Sequence, residues 1–242
     1  AKVSLQFSPE QKAVIDKVAE TAQQVGVKAF LAGGLVRDKL LGIDSEDLDF
    51  VTNAGADKLA TSLAAKYQTG DPVKMDRSGA TMVHLDGQYI DLIDAVKVFE
   101  PLRVKNSTLE QGQESELSIF LDDAFRRDLT INSLMYGLHD GKLYDPTGRG
   151  VSDLKNKVIR TIIDPYLKYR VHAADMLRAI RFYATKPGFR FAPNMLDAMR
   201  KNAYRVTPRE QGGDISARRI ERELRKAIKS PDQWERMKGA LS

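Results

Sequence analysis

The sequence predicts an α+β protein: a mixed head followed by an all-helical segment. Three observations carry this. Up to about residue 95, short apolar strand candidates alternate with amphipathic helices. An Asp86-Gly87 pair separates two β-rich runs. From about Ala124 the pattern turns mainly helical. The head is assigned to residues 1–140 and the helical part to 141–242, the composition shift falling between about 120 and 160.

Each element has a local reason. Ser8-Pro9-Glu10-Gln11 supplies an N-cap, a proline at the first helical position and a capping-box glutamine. Val14, Val18 and Ala22 continue that helix to about Val25. Val27 to Ala32 reads as a strand that Gly33-Gly34 breaks. Leu35 to Leu41 is a helix stopped by Gly42. Leu48 to Val51 is the next strand, and Asp57 to Tyr67 the next helix. Ala80–Leu85 and Gln88–Ala95 form a hairpin, because Asp-Gly suits the positive-φ type I′ turn. Pro101 to Ser118 is polar and patternless, which predicts a mobile loop. A small β element is expected near Leu143-Tyr144.

Composition narrows the function classes. The chain has 242 residues and no cysteine, so disulfides, thiolate metal sites and cysteine nucleophiles are excluded. That fits a cytoplasmic protein. No long uncharged apolar run predicts a membrane span, and no secretory signal opens the chain. The net charge is +5, and the positive excess gathers late, at Arg200, Lys201, Arg205, Arg209, Arg218, Arg219, Arg222, Arg225, Lys226 and Lys229. Such a distribution suits RNA, or a solvated helix surface with Glu221 and Glu223 interleaved.

The densest chemical signal runs from Leu31 to Asp49. Gly33-Gly34 between a strand and a helix lets backbone approach phosphate, with Arg37 close behind. Asp47 and Asp49 are two apart, so a strand projects them to one face. Carboxylates on one face beside a phosphate cradle suit two Mg²⁺ ions.

Four ordered blocks resemble one family. Gly33-Gly-Leu-Val-Arg-Asp38 with Leu41-Gly42 and Asp47-Leu-Asp49 is similar to the G-G-x-V-R-D…L-G…D-x-D signature of class II polymerase-β-like nucleotidyltransferases. Arg126-Arg-Asp-Leu-Thr-Ile-Asn-Ser-Leu134 resembles their R-R-D-F-T-I-N-A-L. The third block is Asp145-Pro146…Gly150…Asp153-Leu154…Ile159-Arg160, and the fourth Leu177-Arg-Ala-Ile-Arg-Phe182. The resemblance is to tRNA nucleotidyltransferases that build the 3′ CCA end and to bacterial poly(A) polymerases. It implies a polymerase-β-like head with a mixed or antiparallel sheet, followed by a helical neck.

The resemblance also implies roles. Asp47 and Asp49 hold the metal ions, and Asp91 completes the catalytic carboxylates, with Asp94 ranked second because it has the opposite strand parity. Gly33, Gly34 and Arg37 cradle phosphates. Asp128 and Asn132, with Arg127 beside them, support the sugar or pocket, and Arg178 and Arg181 face phosphates. The implied substrates are CTP or ATP and an RNA 3′ end, tRNA first.

Two departures stand out. The family reads the base with E-D-x-x-R just before the fourth block. Here the Glu slot holds Val171, the Asp slot His172 and the Arg slot Asp175. An ionised Asp accepts where Arg donates. Three readings stay open: altered base selection, exchanged roles between His172 and Asp175, or a degraded pocket. An Asp175–Arg178 ion pair at i, i+3 is expected in any of them. The second departure is length. The family continues through helical body and tail segments that hold tRNA, whereas this sequence stops after a neck-like stretch. A natural short form, a truncated chain, or a partner chain or dimer supplying the missing RNA-binding segments would each account for it.

Overall fold

The computed structural model describes residues 5–75, 79–95, 120 and 122–241; the expected loop at 101–118 lies outside them. The chain forms two compact units. One comprises 1–126 with 132–150, and the other 127–131 with 151–242. The sequence reading draws one border, after residue 140. The chain instead crosses between units after Arg126, Ile131 and Gly150.

In the first unit α1 (Pro9–Val25) begins with the expected capping box, Ser8 and Gln11 bonding reciprocally, and ends at Gly26 with φ 71°. Strand β1 (Ala29–Ala32) leads into α2 (Gly34–Leu40), then β2 (Leu48–Thr52) and α3 (Ala56–Tyr67). Strands β3 (Val73–Lys74), β4 (Thr81–Leu85) and β5 (Gln88–Asp94) follow. Asp86 and Gly87 both have positive φ, 51° and 77°, as a type I′ turn requires. Strands β6 (Met135–Gly137) and β7 (Leu143–Tyr144) complete a seven-stranded sheet of order β3-β4-β5-β2-β1-β6-β7. It is mixed: β2 and β5 run parallel, and the other neighbours antiparallel. Strand β6 falls where the sequence predicts helix. Three residues are too few to show a period of two.

Alternation sorts this sheet into two faces. Leu31, Leu48, Phe50, Val83, Ile90 and Leu92 are buried on one. Helix α3 packs on β4 and β5, and α1 packs on α3. Phe30, Ala32, Val51 and Met135 form a second cluster with Phe120 and Ala124, with Ile93 against it. Register places Asp49 and Asp91 on the same side as Val51 and Ile93.

The second unit is helical, apart from a two-stranded parallel ribbon of β8 (Val158–Ile159) and β9 (Arg190–Phe191). Its helices are α4 (Gly150–Lys155), α5 (Pro165–Val171), α6 (Ala174–Thr185), α7 (Met195–Asn202), α8 (Ala217–Ala227) and α9 (Pro231–Leu241). Asp164 caps α5, accepting from Leu167 N at 3.1 Å. The segment 127–131 is stitched into this unit. Leu129 bridges to Thr161, Thr130 N donates to Arg160 O at 2.9 Å, and Thr130 Oγ1 donates to Asp153 at 2.7 Å. Among the described residues, no helix is long and apolar enough to cross a membrane.

Candidate active site

The first group of predicted residues lies in the first unit. On β2, Leu48 and Phe50 are buried, so the intervening Asp49 points to the other face and is exposed. Its Cα partner across the parallel pair is Asp91 of β5, also exposed. Asp47 immediately precedes β2. Burial, and next the charge of Asp47, hold the Asp91 carboxyl above its ordinary pKa. A bound cation would oppose both influences and favour the ionised Asp91 carboxylate. Among the described residues no three or more His, Cys, Asp or Glu converge as a ready-made metal cluster. Mg²⁺ needs no such cage, since it is commonly held by one or two carboxylates together with substrate phosphates and water.

Asp94 does something else. Its Oδ1 accepts from Thr52 Oγ1 at 2.6 Å, Gly55 N at 2.7 Å and Ala56 N at 2.8 Å. It serves as acceptor for amides at the start of α3, with Thr52 Oγ1 also accepting from Gly55 N at 3.3 Å.

Gly33 is the N-cap of α2 with φ 76° and ψ −137°, a conformation that an L side chain rarely adopts. A Cβ on Gly34 would stand 3.4 Å from Arg37 Nη2. The Arg37 guanidinium is thus held over the glycine turn. Asp38 grips it through Nε and Nη2, both at 2.9 Å, and Asn132 Oδ1 accepts from Nη1 at 2.5 Å. The buried Asp38 is a partner that the sequence reading passed over, although its place beside Arg37 was a signal.

The remaining predicted residues lie in the second unit. Asp128 is buried; it accepts from Leu129 N at 2.9 Å and from Arg178 Nε at 2.8 Å. The Asp128 charge, more than any other influence, raises the Arg178 pKa. Arg127 contributes its carbonyl, which accepts from Lys168 Nζ at 2.8 Å. Arg181 Nε donates to the buried Glu223 of α8 at 2.8 Å, tying α6 to α8. The expected Asp175–Arg178 pair does not form. Asp175 pairs with Lys168 at 3.1 Å, and Arg178 turns to Asp128. A fully buried ammonium needs its counter-ion more than a part-exposed guanidinium that already has one. His172 lies where α5 ends, and partial burial of its imidazole, followed by the Lys168 charge, lowers its pKa. Lys168 was missed from sequence, and Glu223 and Asp153 were named there without the partners they hold, Arg181 and Arg160. For Lys168 a signal existed in its seven-residue spacing from Asp175.

Arg218, Arg219, Arg222 and Lys226 of α8 are exposed. No ion pair involves any of these four among the described residues.

Comparison with known proteins finds relatives in sequence and in fold. A CCA tRNA nucleotidyltransferase 1, mitochondrial, from Danio rerio is 34% identical over 220 residues, covering 87% of this chain and 46% of that protein. Poly(A) polymerase I of Escherichia coli O6:H1 is 35% identical over 183 residues, covering 73% of this chain and 38% of that one. A CCA-adding enzyme solved with CTP superposes with a TM-score of 0.76 at 26% identity, covering 97% of this chain and 52% of that chain. The chain thus spans about half the length of these relatives or less. The family model described as the poly A polymerase head domain matches residues 29–160, more than half the sequence, and the chain belongs to that family.

Proposed function

We propose that this chain carries the catalytic part of a metal-dependent, template-independent RNA nucleotidyltransferase. It adds CMP, AMP or both from NTPs to RNA 3′ ends, with tRNA 3′-CCA synthesis or repair as the leading activity. The observation that carries this is the register of Asp49 against Asp91, with Asp47 beside them, on the sheet face opposite α3. The zebrafish relative's name and the solved complex with CTP support the choice of acceptor and nucleotide.

Each residue then has work to do. Asp47 and Asp49 hold divalent ions, Mg²⁺ in this proposal, and Asp91 completes the acidic set. When bound, the ions supply Lewis acidity toward the RNA 3′-hydroxyl and charge neutralisation for the triphosphate. The RNA hydroxyl gives up its proton to water, its oxygen bonds to the α-phosphorus, the bond from that phosphorus to the oxygen bridging the β-phosphate breaks, and pyrophosphate leaves. Gly33 and Gly34 admit phosphate close to the backbone, and Arg37, fixed by Asp38 and Asn132, offers a positive charge in one orientation. Asp128 and Arg178 support the bound nucleotide. The exposed arginines of α8 meet the RNA backbone.

The test uses the purified protein with Mg²⁺ and tRNA ending at the discriminator base, at C or at CC, with each NTP supplied separately. Extension by CTP or ATP on these ends is the expected result. Long A tails on unrelated RNA would instead favour poly(A) polymerase, the reading that the E. coli relative supports. RNA binding without extension by any NTP would sink the enzymatic reading for this chain.

A further inference from the structure

Lys168 has only 2% of its side chain exposed. Lysine is almost never buried to this degree without partners. Its ammonium has Asp175 Oδ2 at 3.1 Å and the Arg127 carbonyl at 2.8 Å. One nitrogen therefore joins three stretches of chain: α5, the first turn of α6, and the start of segment 127–131. Asp175 keeps 15% of its side chain exposed, so the carboxylate faces mainly inward. Buried pairs of this kind add little net stability over apolar residues of the same volume. Their physical effect is to fix geometry. Here the fixed backbone group belongs to the residue before Asp128, and the Asp128 carboxylate is itself held by Arg178 at 2.8 Å. A charged donor therefore grips each of the two adjacent residues 127 and 128.

We propose that Lys168 and Asp175 are a positioning pair for the nucleotide site, and that Asp175 is the counter-ion of Lys168 rather than a reader of the base. This rests on the reading of Asp128 and Arg178 as nucleotide-binding groups. The pair acts through segment 127–131. Loosening it displaces Asp128 and weakens every NTP alike, because no base edge is consulted. A base reader behaves differently, since altering it changes the order of preference among NTPs.

Two readouts on the full chain separate these outcomes. The first is amide hydrogen exchange of the peptide spanning 127–131, with α1 as an internal reference. The second is kcat and KM for each NTP on tRNA lacking its 3′ end. Lys168→Met and Asp175→Asn should each speed exchange at 127–131 by roughly tenfold or more, the scale of a lost charged hydrogen bond, with α1 unchanged. Both should raise KM for the accepted NTPs by a common factor, leaving their ratios unchanged. Lys168→Arg, which keeps charge and donors, should lie closer to wild type than Lys168→Met. If Lys168→Met does not fold, the double change Lys168→Met with Asp175→Met removes both charges together and reads the same tether. A changed NTP preference in Asp175→Asn would make Asp175 a reader and overturn the proposal. Unchanged exchange at 127–131 would also overturn it, as would an equal rise in every peptide. A wild-type protein that transfers no nucleotide would remove the functional reading, while the exchange measurement would still decide the pair.

Discussion

Asp49 and Asp91 are Cα partners on the parallel strands β2 and β5, both exposed on the sheet face opposite α3. A parallel register fixed by buried Leu48, Phe50, Ile90 and Leu92 cannot slip by one residue without turning those side chains outward. The core therefore sets the alignment of the two carboxylates.

Asp49→Ala should abolish nucleotide addition, lowering kcat by about a thousandfold or more. The side chain is exposed, so thermal stability should move by less than about 0.5 kcal/mol. Primer extension and a thermal melt check the two halves. Activity that survives would refute the metal assignment.

Asp91→Asn should raise stability at neutral pH while removing activity. The folded state holds the Asp91 carboxyl above its ordinary pKa through burial and the Asp47 charge. The destabilising effect is complete above the folded-state value, where the carboxylate is ionised in both states. It disappears as pH falls below the unfolded-state value. The difference in melting temperature between variant and wild type should therefore be largest at neutral pH and close in acid. A difference that grows in acid would have the wrong sign.

Asp94→Ala should be a stability variant. It loses the acceptor for Thr52 and for two amides at the start of α3, at a cost of about 2–3 kcal/mol. At temperatures where the variant remains folded, kcat should stay within about twofold of wild type, on the grounds that Asp94 stabilises α3 rather than the reaction. Denaturant titration with steady-state kinetics tests both expectations.

Arg178→Ala should remove the ion pair that Arg178 makes with the buried Asp128. Because Arg178 is part exposed, the stability cost should be about 1–2 kcal/mol, below that of a wholly buried pair. In a double-mutant cycle with Asp128→Asn the second change should cost less than the first. Strict additivity would show the two to be energetically independent.

Arg222→Ala on α8 should weaken binding to any RNA without altering nucleotide choice. The slope of log affinity against log salt should fall by about one unit for each phosphate that the helix no longer neutralises. Filter binding at several salt concentrations measures it, and an unchanged slope would take this helix face out of the RNA interface.

The sequence exposed most of the first unit because its signals are local. A capping box, a double glycine and an Asp-Gly turn each act within four residues, and their elements appear where expected. β6 and the β8–β9 ribbon escaped because strands of two or three residues owe their form to distant partners. The same distinction holds in the candidate site. The exposed strand position of Asp49 and the helix-start position of Gly33 follow from spacing, whereas Asp47 lies just before the strand that was expected to carry it. That Arg37 is gripped by Asn132, or Arg178 by Asp128, depends on hydrogen bonds between residues 95 and 50 positions apart. Asp175 shows the limit most clearly. Helical spacing favoured Arg178 as its partner, but the helix breaks near His172, and the buried Lys168 across that break takes the carboxylate.

The triple crossing of the chain bears on how the protein is made. Residues 127–131 leave the ribosome well before Asp153, Arg160, Lys168 and Arg178, the residues that later hold them. The first unit can have all its own strands synthesised by residue 150 while a five-residue stretch within its span still awaits its bonds. Vectorial synthesis therefore delays the locking of residues 127–131 until Asp153, Arg160, Lys168 and Arg178 have followed them out of the ribosome.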